Sequence, residues 1–201
     1  MRYGMVLDLT RCIGCDACTV ACKQVHGTGP GVFWSRVLKS EFGAYPTSKL
    51  SFQPILCNHC EDPSCAKVCP VRATFINDDG IVMIDENQCI GCRYCMAACP
   101  YDARTFIDTT KKAYFVDKDQ TAFESIKYAE HTEGTVQKCT FCAERIENPD
   151  MLPACVQTCP ASARLFGDLD DPNSDPSLAL STSTHTQLRP EAGTKPKVYY
   201  I

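Results

Sequence analysis

Sixteen cysteines in a chain of 201 residues constrain this fold more than any other feature. These cysteines fall into four groups of four along the chain. The first and third groups share the spacing C-x2-C-x2-C-x3-C, whereas the second and fourth begin with C-x2-C and end with C-x3-C. Three kinds of protein reach such a count: disulfide scaffolds, zinc proteins and iron–sulfur proteins. Group one is Cys12, Cys15, Cys18 and Cys22; group two is Cys57, Cys60, Cys65 and Cys69; group three is Cys89, Cys92, Cys95 and Cys99; group four is Cys139, Cys142, Cys155 and Cys159.

The spacing of the groups separates these three possibilities. A disulfide scaffold is disfavoured, because no secretory signal precedes Cys12 and thiols stay reduced in the cytosol. Zinc is the stronger alternative, since structural zinc sites pair two C-x2-C units across a loop, as group four could. Groups one and three favour iron, because their spacing is that of the bacterial ferredoxin run. We therefore expect all sixteen cysteines to bind four [4Fe–4S] clusters, with zinc as the alternative.

The loops of groups one and three predict how ligands are shared. Gly14 and Gly91 would let the backbone bend close to a cluster without a side chain in the way. The x3 spacing puts Cys22 and Cys99 one helical turn beyond the preceding cysteine, so their sulfurs point away from the first loop. In paired ferredoxin centres this last cysteine serves the other cluster. Prolines that end a short helix follow three of the groups, at Pro70, Pro100 and Pro160.

A repeat extends beyond the cysteines. A shift of 77 residues places Met5–Asp8 on Val82–Asp85 and group one on group three. The ends of groups two and four also align, Cys69-Pro70 with Cys159-Pro160. The chain is therefore predicted to follow a duplicated plan, A-B-A′-B′. Val82–Asp85 is predicted to be a short strand that leads into the cluster loop.

Charge and motifs exclude several other functions. The formal charge is −4, and four clusters with thiolate ligands would bring it to about −12. Such an anionic protein is unsuited to nucleic acid, which is bound by cations. No apolar run approaches the length that spans a bilayer. No phosphate-binding, dinucleotide-binding, serine-nucleophile or zinc-protease motif occurs, which leaves electron relay as the available chemistry.

Residues outside the groups carry weaker signals. Of the four histidines, only His59, between Cys57 and Cys60, is expected to lie near a cluster, and we interpret it as a packing residue rather than a ligand. Trp34 is interpreted as structural or as an interface contact. The segment 108–130 is interpreted as a solvated insertion with a helix around 121–130, in preference to a partner-binding loop. Residues 167–201 are too polar for a core of their own, which predicts a flexible tail or a strap across a partner with a docked apolar end.

The four groups, in this order and spacing, resemble the iron–sulfur subunit of the dimethyl-sulfoxide-reductase family of molybdopterin oxidoreductases. The likeness covers nearly the whole chain and is strongest to the small subunits of polysulfide, thiosulfate and respiratory arsenate reductases. Group three is complete, unlike that of nitrate-reductase relatives with a three-iron cluster, and Lys23 stands where a simple ferredoxin has proline. The motifs outside the groups are Met5–Asp8, Lys138–Cys142, Gly167–Pro172 and Leu188–Thr194.

The resemblance implies an α+β fold of two ferredoxin-like modules, one inserted in the other, with short strands and helices and an extended C-terminal tail. The outer module would hold residues 1–56 plus 131–166, the inner module 57–107, an insertion 108–130, and a partner-binding tail 167–201. It also implies ligand sets that cross between groups. Set one is Cys12, Cys15, Cys18 and Cys159; set two is Cys22, Cys139, Cys142 and Cys155; set three is Cys57, Cys60, Cys65 and Cys99; set four is Cys69, Cys89, Cys92 and Cys95.

The resemblance further implies a non-catalytic electron-transfer subunit of an anaerobic respiratory oxidoreductase. It would relay electrons between a quinol or cytochrome donor and a large molybdopterin-containing subunit of polysulfide, thiosulfate or arsenate type. A membrane subunit that oxidises quinol is a further implied partner. Co-export with the catalytic subunit would place it in the periplasm, with the cytoplasm as the alternative. The competing hypotheses are a stand-alone polyferredoxin, a ferredoxin-like subunit of a hydrogenase or formate-linked complex, and a zinc-binding scaffold.

Overall fold

The computed structural model, which describes residues 1–201, builds a three-stranded sheet from segments far apart in sequence. β1 (Tyr3–Leu7) lies in the middle, antiparallel to β8 (Arg164–Asp168) and parallel to β9 (Val198–Tyr200). Residues Met5–Leu7 are apolar and fully buried, as expected of a central strand covered on both faces. The two ends of the chain therefore meet in one sheet.

The remaining strands form three two-stranded sheets and repeat one pairing pattern. β5 (Val82–Ile84) leads into group three and pairs with β4 (Thr74–Ile76), which follows group two. In the same way β1 leads into group one and pairs with β8, which follows group four. The predicted strand at Val82–Asp85 is confirmed as β5. These strands are β2 (Ser35–Phe42), β3 (Lys49–Leu56), β4 (Thr74–Ile76), β5 (Val82–Ile84), β6 (Thr105–Phe106) and β7 (Val136–Gln137).

Most helices are single turns, and none has the length and apolar character needed to cross a bilayer. The helices that end groups two, three and four stop before the predicted prolines. The helix of group one runs for ten residues, because Lys23 rather than proline follows Cys22, and it ends at Gly27 with a φ of +57°. The helices are α1 (Ala17–His26), α2 (Ser64–Lys67), α3 (Tyr94–Ala97), α4 (Ala122–Tyr128), α5 (Ala143–Ile146), α6 (Ala154–Gln157), α7 (Asp175–Thr182) and a 3-10 turn at Pro190–Ala192.

The insertion holds the helix that the sequence predicts around 121–130, which is α4. Thr121 caps it: its hydroxyl accepts from the Glu124 N–H, and the Glu124 carboxylate accepts from the Thr121 N–H. α4 packs against the end of α1, where a side chain on Gly27 would come within 2.6 Å of the Lys127 Cβ. Tyr128 of α4 is buried. The insertion is thus anchored on group one's helix, although much of it stays exposed.

Replacing Thr121 with alanine should loosen α4 without affecting the cysteine groups. Loss of the cap should destabilise this helix by about 1 kcal/mol, because the Thr121 hydroxyl accepts from the Glu124 N–H and donates to the Glu124 carboxylate, and alanine can do neither. Hydrogen exchange of residues 122–128 would report the change as faster exchange. Ser125→Ala is the matched control, since Ser125 lies exposed inside the helix and does not cap it. Equal protection in both variants would contradict the capping role.

Residues 167–201 are folded rather than extended. They contain α7, the 3-10 turn and β9, and Val198 and Tyr200 are buried in the three-stranded sheet. The Asp62 N–H donates to the Thr194 carbonyl at 3.1 Å, and the Lys197 N–H donates to the Asn58 carbonyl at 2.9 Å. Most polar side chains of this segment are exposed or half-buried, while its backbone bonds to the backbone beside group two. The segment therefore crosses the chain's own surface before joining β1.

Candidate iron–sulfur centres

The sixteen cysteines are all unpaired thiols, and no disulfide forms among them. Nine are buried and five are half-buried, so most of the sulfur faces the interior. The two exposed thiols, Cys15 and Cys92, occupy the same position in groups one and three. Each stands beside an exposed isoleucine, Ile13 or Ile90. Sets one and four therefore reach the surface.

The cysteines of set one line a single cavity. Its walls come from the loop of group one and from the Cys159-Pro160 end of group four, which lies nearly 150 residues later. Arg164 also lines this cavity. The four thiols that border this space are Cys12, Cys15, Cys18 and Cys159.

A second cavity repeats this arrangement between groups two and three. Gly91 lies in its wall where Gly14 lies in the first, and Arg104 takes the place of Arg164. Both cavities thus combine three cysteines of one loop with the last cysteine of another group. The four thiols that border the second cavity are those of set four, Cys69, Cys89, Cys92 and Cys95.

The other eight thiols are mostly buried, and their mutual effects on pKa report their proximity. Burial raises the pKa of Cys22, and the thiolates of Cys155 and Cys142 raise it further. Burial also raises the pKa of Cys139 well above its usual value, with Cys22 and Cys155 adding to the shift. The last cysteine of group one therefore lies among the cysteines of group four.

Set three shows the same relation between groups two and three. Burial raises the pKa of Cys60 to about 11, although a hydrogen bond with Thr194 opposes the shift. The thiolates of Cys57, Cys65 and Cys99 add to the increase. Because only a thiolate binds iron, loading these buried sites must release protons.

The donor chemistry fits iron–sulfur clusters. Thiolates are the ligands of such clusters, and each set supplies four of them. No three cysteine, histidine or carboxylate side chains meet at one point in the way a single metal ion requires. In the two cavities the sulfurs border a space instead, which favours a cluster over a lone zinc ion.

Comparison with known proteins agrees with this chemistry. A family described as a 4Fe-4S dicluster domain matches residues 48–118 and 121–169, and a second family of the same description matches residues 11–73. The iron–sulfur subunit of a putative dimethyl sulfoxide reductase of Halobacterium salinarum is 46% identical over the whole chain and 79% of that protein. The chain belongs to the iron–sulfur electron-transfer subunits of the molybdopterin reductases.

Two further relatives support this membership. The arsenate respiratory reductase iron–sulfur subunit of Shewanella is 37% identical over the whole chain and 96% of that protein. A subunit of the tetrathionate reductase of Salmonella typhimurium is 39% identical over the whole chain and 72% of that protein. The family resemblance, the ferredoxin-type fold of mixed helices and strands and the [4Fe–4S] cofactor predicted for this iron–sulfur subunit are confirmed.

Gly14 and Gly91 of the iron–sulfur subunit, which line the two cavities, are required for a reason additional to the predicted one. Both adopt a positive φ, +66° and +65°, which disfavours any other residue. A Cβ on Gly14 would lie 2.3 Å from the Phe52 ring, and one on Gly91 would lie 2.1 Å from the Gly134 carbonyl oxygen. Each glycine therefore relieves a clash with a neighbouring segment of the protein.

His26 is a site residue that the sequence did not reveal. Its Nε2 lies 3.2 Å from the Cys142 Sγ, so the expectation that only His59 lies near the cysteine groups is wrong. Its ring packs on Trp34, with the centroids 4.8 Å apart. The His131 Nε2–H donates to the His26 carbonyl at 2.7 Å, which fixes the end of α1. Trp34 thus has a structural role, in support of a histidine beside set two.

His59 packs inside the iron–sulfur subunit as predicted. It is fully buried and stacks on Phe141 with the ring centroids 3.7 Å apart. Its Nδ1 accepts a hydrogen bond from the Val82 N–H at 3.2 Å. Burial, reinforced by the nearby charge of Lys138, holds its pKa well below the usual value. A neutral His59 therefore joins groups two, three and four through packing.

Three buried cations also lie among the sulfurs. Arg164 donates from Nη2 to the Cys18 Sγ at 3.2 Å, and Arg104 donates from Nη2 to the Cys65 Sγ at 2.9 Å. Lys138 is buried beside the group-four cysteine that follows it in sequence. The sequence contains one indication that the two arginines are equivalent. Each stands five residues after the last cysteine of its group, in the shared motif C-P-x-x-A-R.

Proposed function

We propose that this subunit carries four [4Fe–4S] clusters and relays electrons between a quinol or cytochrome donor and a molybdopterin-containing catalytic subunit. The observation that carries the proposal is that each of the two cavities is bordered by four thiols from two different groups. One set of four thiolates is what one such cluster needs. Membership of the reductase family supports the assignment to a catalytic complex.

The proposed ligands are the crossing sets one to four. The cavities support sets one and four, and the pKa shifts of Cys22 and Cys60 support sets two and three. The repeated strand pairing supports two modules, because β1 and β8 flank groups one and four while β4 and β5 flank groups two and three. We accordingly propose an outer module of 1–56 plus 131–166, an inner module of 57–107 and an insertion of 108–130.

The ends of the relay are proposed to be sets one and four. Their exposed thiols, Cys15 and Cys92, lie beside exposed isoleucines on which a partner could dock. The half-exposed Leu178 of α7 offers a further contact, in keeping with the prediction that residues 167–201 touch the catalytic subunit. The named relatives support an arsenate- or sulfur-oxyanion-reducing complex, and thiosulfate and polysulfide remain among the proposed substrates. We place the complex outside the cytoplasm, exported together with its catalytic subunit.

Anaerobic purification from the native host, followed by metal analysis, tests this function. We expect about sixteen irons per chain, four for each cluster, together with a large partner that contains molybdenum or tungsten. The same iron content without any partner would favour a free polyferredoxin or another complex. Zinc in place of iron would overturn the proposal.

A further inference from the structure

Of the four buried cations of this chain, three lie beside the sulfurs of the ligand sets, whereas Lys197 donates to the Gly80 carbonyl. Arg164, Lys138 and Arg104 are only 3%, 2% and 4% exposed. None of them pairs with a carboxylate. A buried charge without an opposite charge is strongly unfavourable. The negative charge that compensates them must therefore come from the sulfur sites.

Arg164 joins sets one and two. Its guanidinium donates to the Cys18 Sγ of set one at 3.2 Å. Burial alone would lower the pKa of Arg164, yet its pKa is raised because the thiolates of Cys155 and Cys18 lie beside it. The Ser35 hydroxyl accepts a second hydrogen bond from the Arg164 guanidinium and so holds the side chain in place.

Arg104 occupies the equivalent place between sets three and four. It donates to Cys65 of set three at 2.9 Å and lines the cavity that the thiols of set four border. The Thr74 hydroxyl accepts from its Nη1 at 3.1 Å, as Ser35 accepts from Arg164. The duplicated plan has therefore placed one arginine between two sets in each half of the chain.

Lys138 lies between sets two and three without bonding to sulfur. Its Nζ donates to the carbonyls of Val82 and Cys139. Burial lowers its pKa, and the negative charges of Cys57 of set three and Cys139 of set two oppose that shift. Each cation therefore neighbours two sets: one and two for Arg164, two and three for Lys138, and three and four for Arg104.

We propose that these three cations are positioning residues that set the reduction potentials of the relay, each acting on the two sets that flank it. The inference rests on the proposed four-cluster function. Each site takes up one electron at a time and no bond is made or broken, so reduction adds one negative charge. A buried cation lowers the free energy of that added charge, since the Coulomb interaction is strong at low dielectric constant. Charge and hydrogen bonds near the sulfurs are known to raise such potentials.

The test is a redox titration with dithionite as the reductant, followed by electron paramagnetic resonance, on the subunit as purified with its partners. Arg104→Gln should lower two of the four midpoint potentials, those of sets three and four, and leave the others unchanged. Arg164→Gln should lower the midpoint potentials of sets one and two, which Arg104→Gln leaves unchanged. Each variant is therefore the control for the other. Lys138→Met should lower the midpoint potentials of sets two and three. This change removes no hydrogen bond to sulfur, because Lys138 donates only to backbone carbonyls.

Charge-preserving variants separate the cation from the shape of the arginine. Arg104→Lys and Arg164→Lys should keep potentials close to those of the unmodified chain. Glutamine variants with full iron and unchanged potentials would overturn the inference, as would lysine variants that shift as far as the glutamine variants. Loss of iron in all three neutral variants, with retention in the lysine variants, would make the cations folding residues and would also overturn it. An unmodified chain with fewer than about sixteen irons would instead contradict the proposed function.

Discussion

Replacing Cys99 with serine is expected to remove the iron of set three, about four of sixteen irons, although Cys99 belongs to group three in sequence. The reason is the helical turn after Cys95, which carries the Cys99 sulfur towards Cys60 and its neighbours. A serine oxygen is a harder ligand than a thiolate and would not replace it. Cys95→Ser should instead remove the iron of set four. Both variants should also unfold at a lower temperature, since cluster binding and folding are coupled.

Iron counting in double variants makes this prediction decisive. Cys99→Ser combined with Cys60→Ser affects one set, so the pair should lose no more iron than either single variant. Cys99→Ser combined with Cys95→Ser affects two sets and should lose about twice as much. If the second pair also lost no more than a single variant, Cys99 would share a cluster with its sequence neighbours. The crossing of ligands between groups would then be wrong.

The cluster chemistry was predictable from the sequence because it depends on local spacing. The x2 and x3 intervals determine which sulfurs share a loop and which lies one turn further along a helix. The same is true of the short helices that stop before Pro70, Pro100 and Pro160, and of β5, whose short apolar run indicates a strand by itself. The helix of the insertion also depends on adjacent residues, since Thr121 and Glu124 cap it reciprocally.

The surroundings of the clusters were not predictable, because they depend on residues far apart in the chain. His26 and Cys142 are 116 positions apart, and nothing in the local sequence connects them. Arginine and lysine are usually exposed, so the burial of Arg104, Arg164 and Lys138 opposes the ordinary expectation for charged residues. Only the shared C-P-x-x-A-R motif could have suggested that the two arginines have a common role.

The position of the last five residues in the fold was likewise not predictable from the sequence. Removing them gives the second large predicted effect. Their composition suggested an apolar end, but not that it completes the sheet around β1. The Met5 N–H donates to the Lys197 carbonyl at 3.0 Å, and the Ile201 N–H donates to the Leu7 carbonyl at 3.1 Å. The Tyr200 hydroxyl donates to the Pro54 carbonyl at 3.0 Å. Burial of Val198 and Tyr200 stabilises the fold by about 3 to 6 kcal/mol together, a large part of the total of about 5 to 15 kcal/mol that is usual for a domain.

Removing residues 197–201 should therefore abolish most of the folded, iron-loaded chain. Loss of β9 exposes Met5–Leu7, which lead directly into the loop of group one. Iron content and thermal unfolding of the purified protein measure the effect, with Tyr199→Ala as the control, because that side chain of the same strand is only partly buried. A strap that served only to hold a partner would behave differently, since the truncated chain would then keep its full iron content and its unfolding temperature while losing the catalytic subunit. That outcome would contradict the structural role of β9, because the sheet around β1 would have proved stable without its parallel strand.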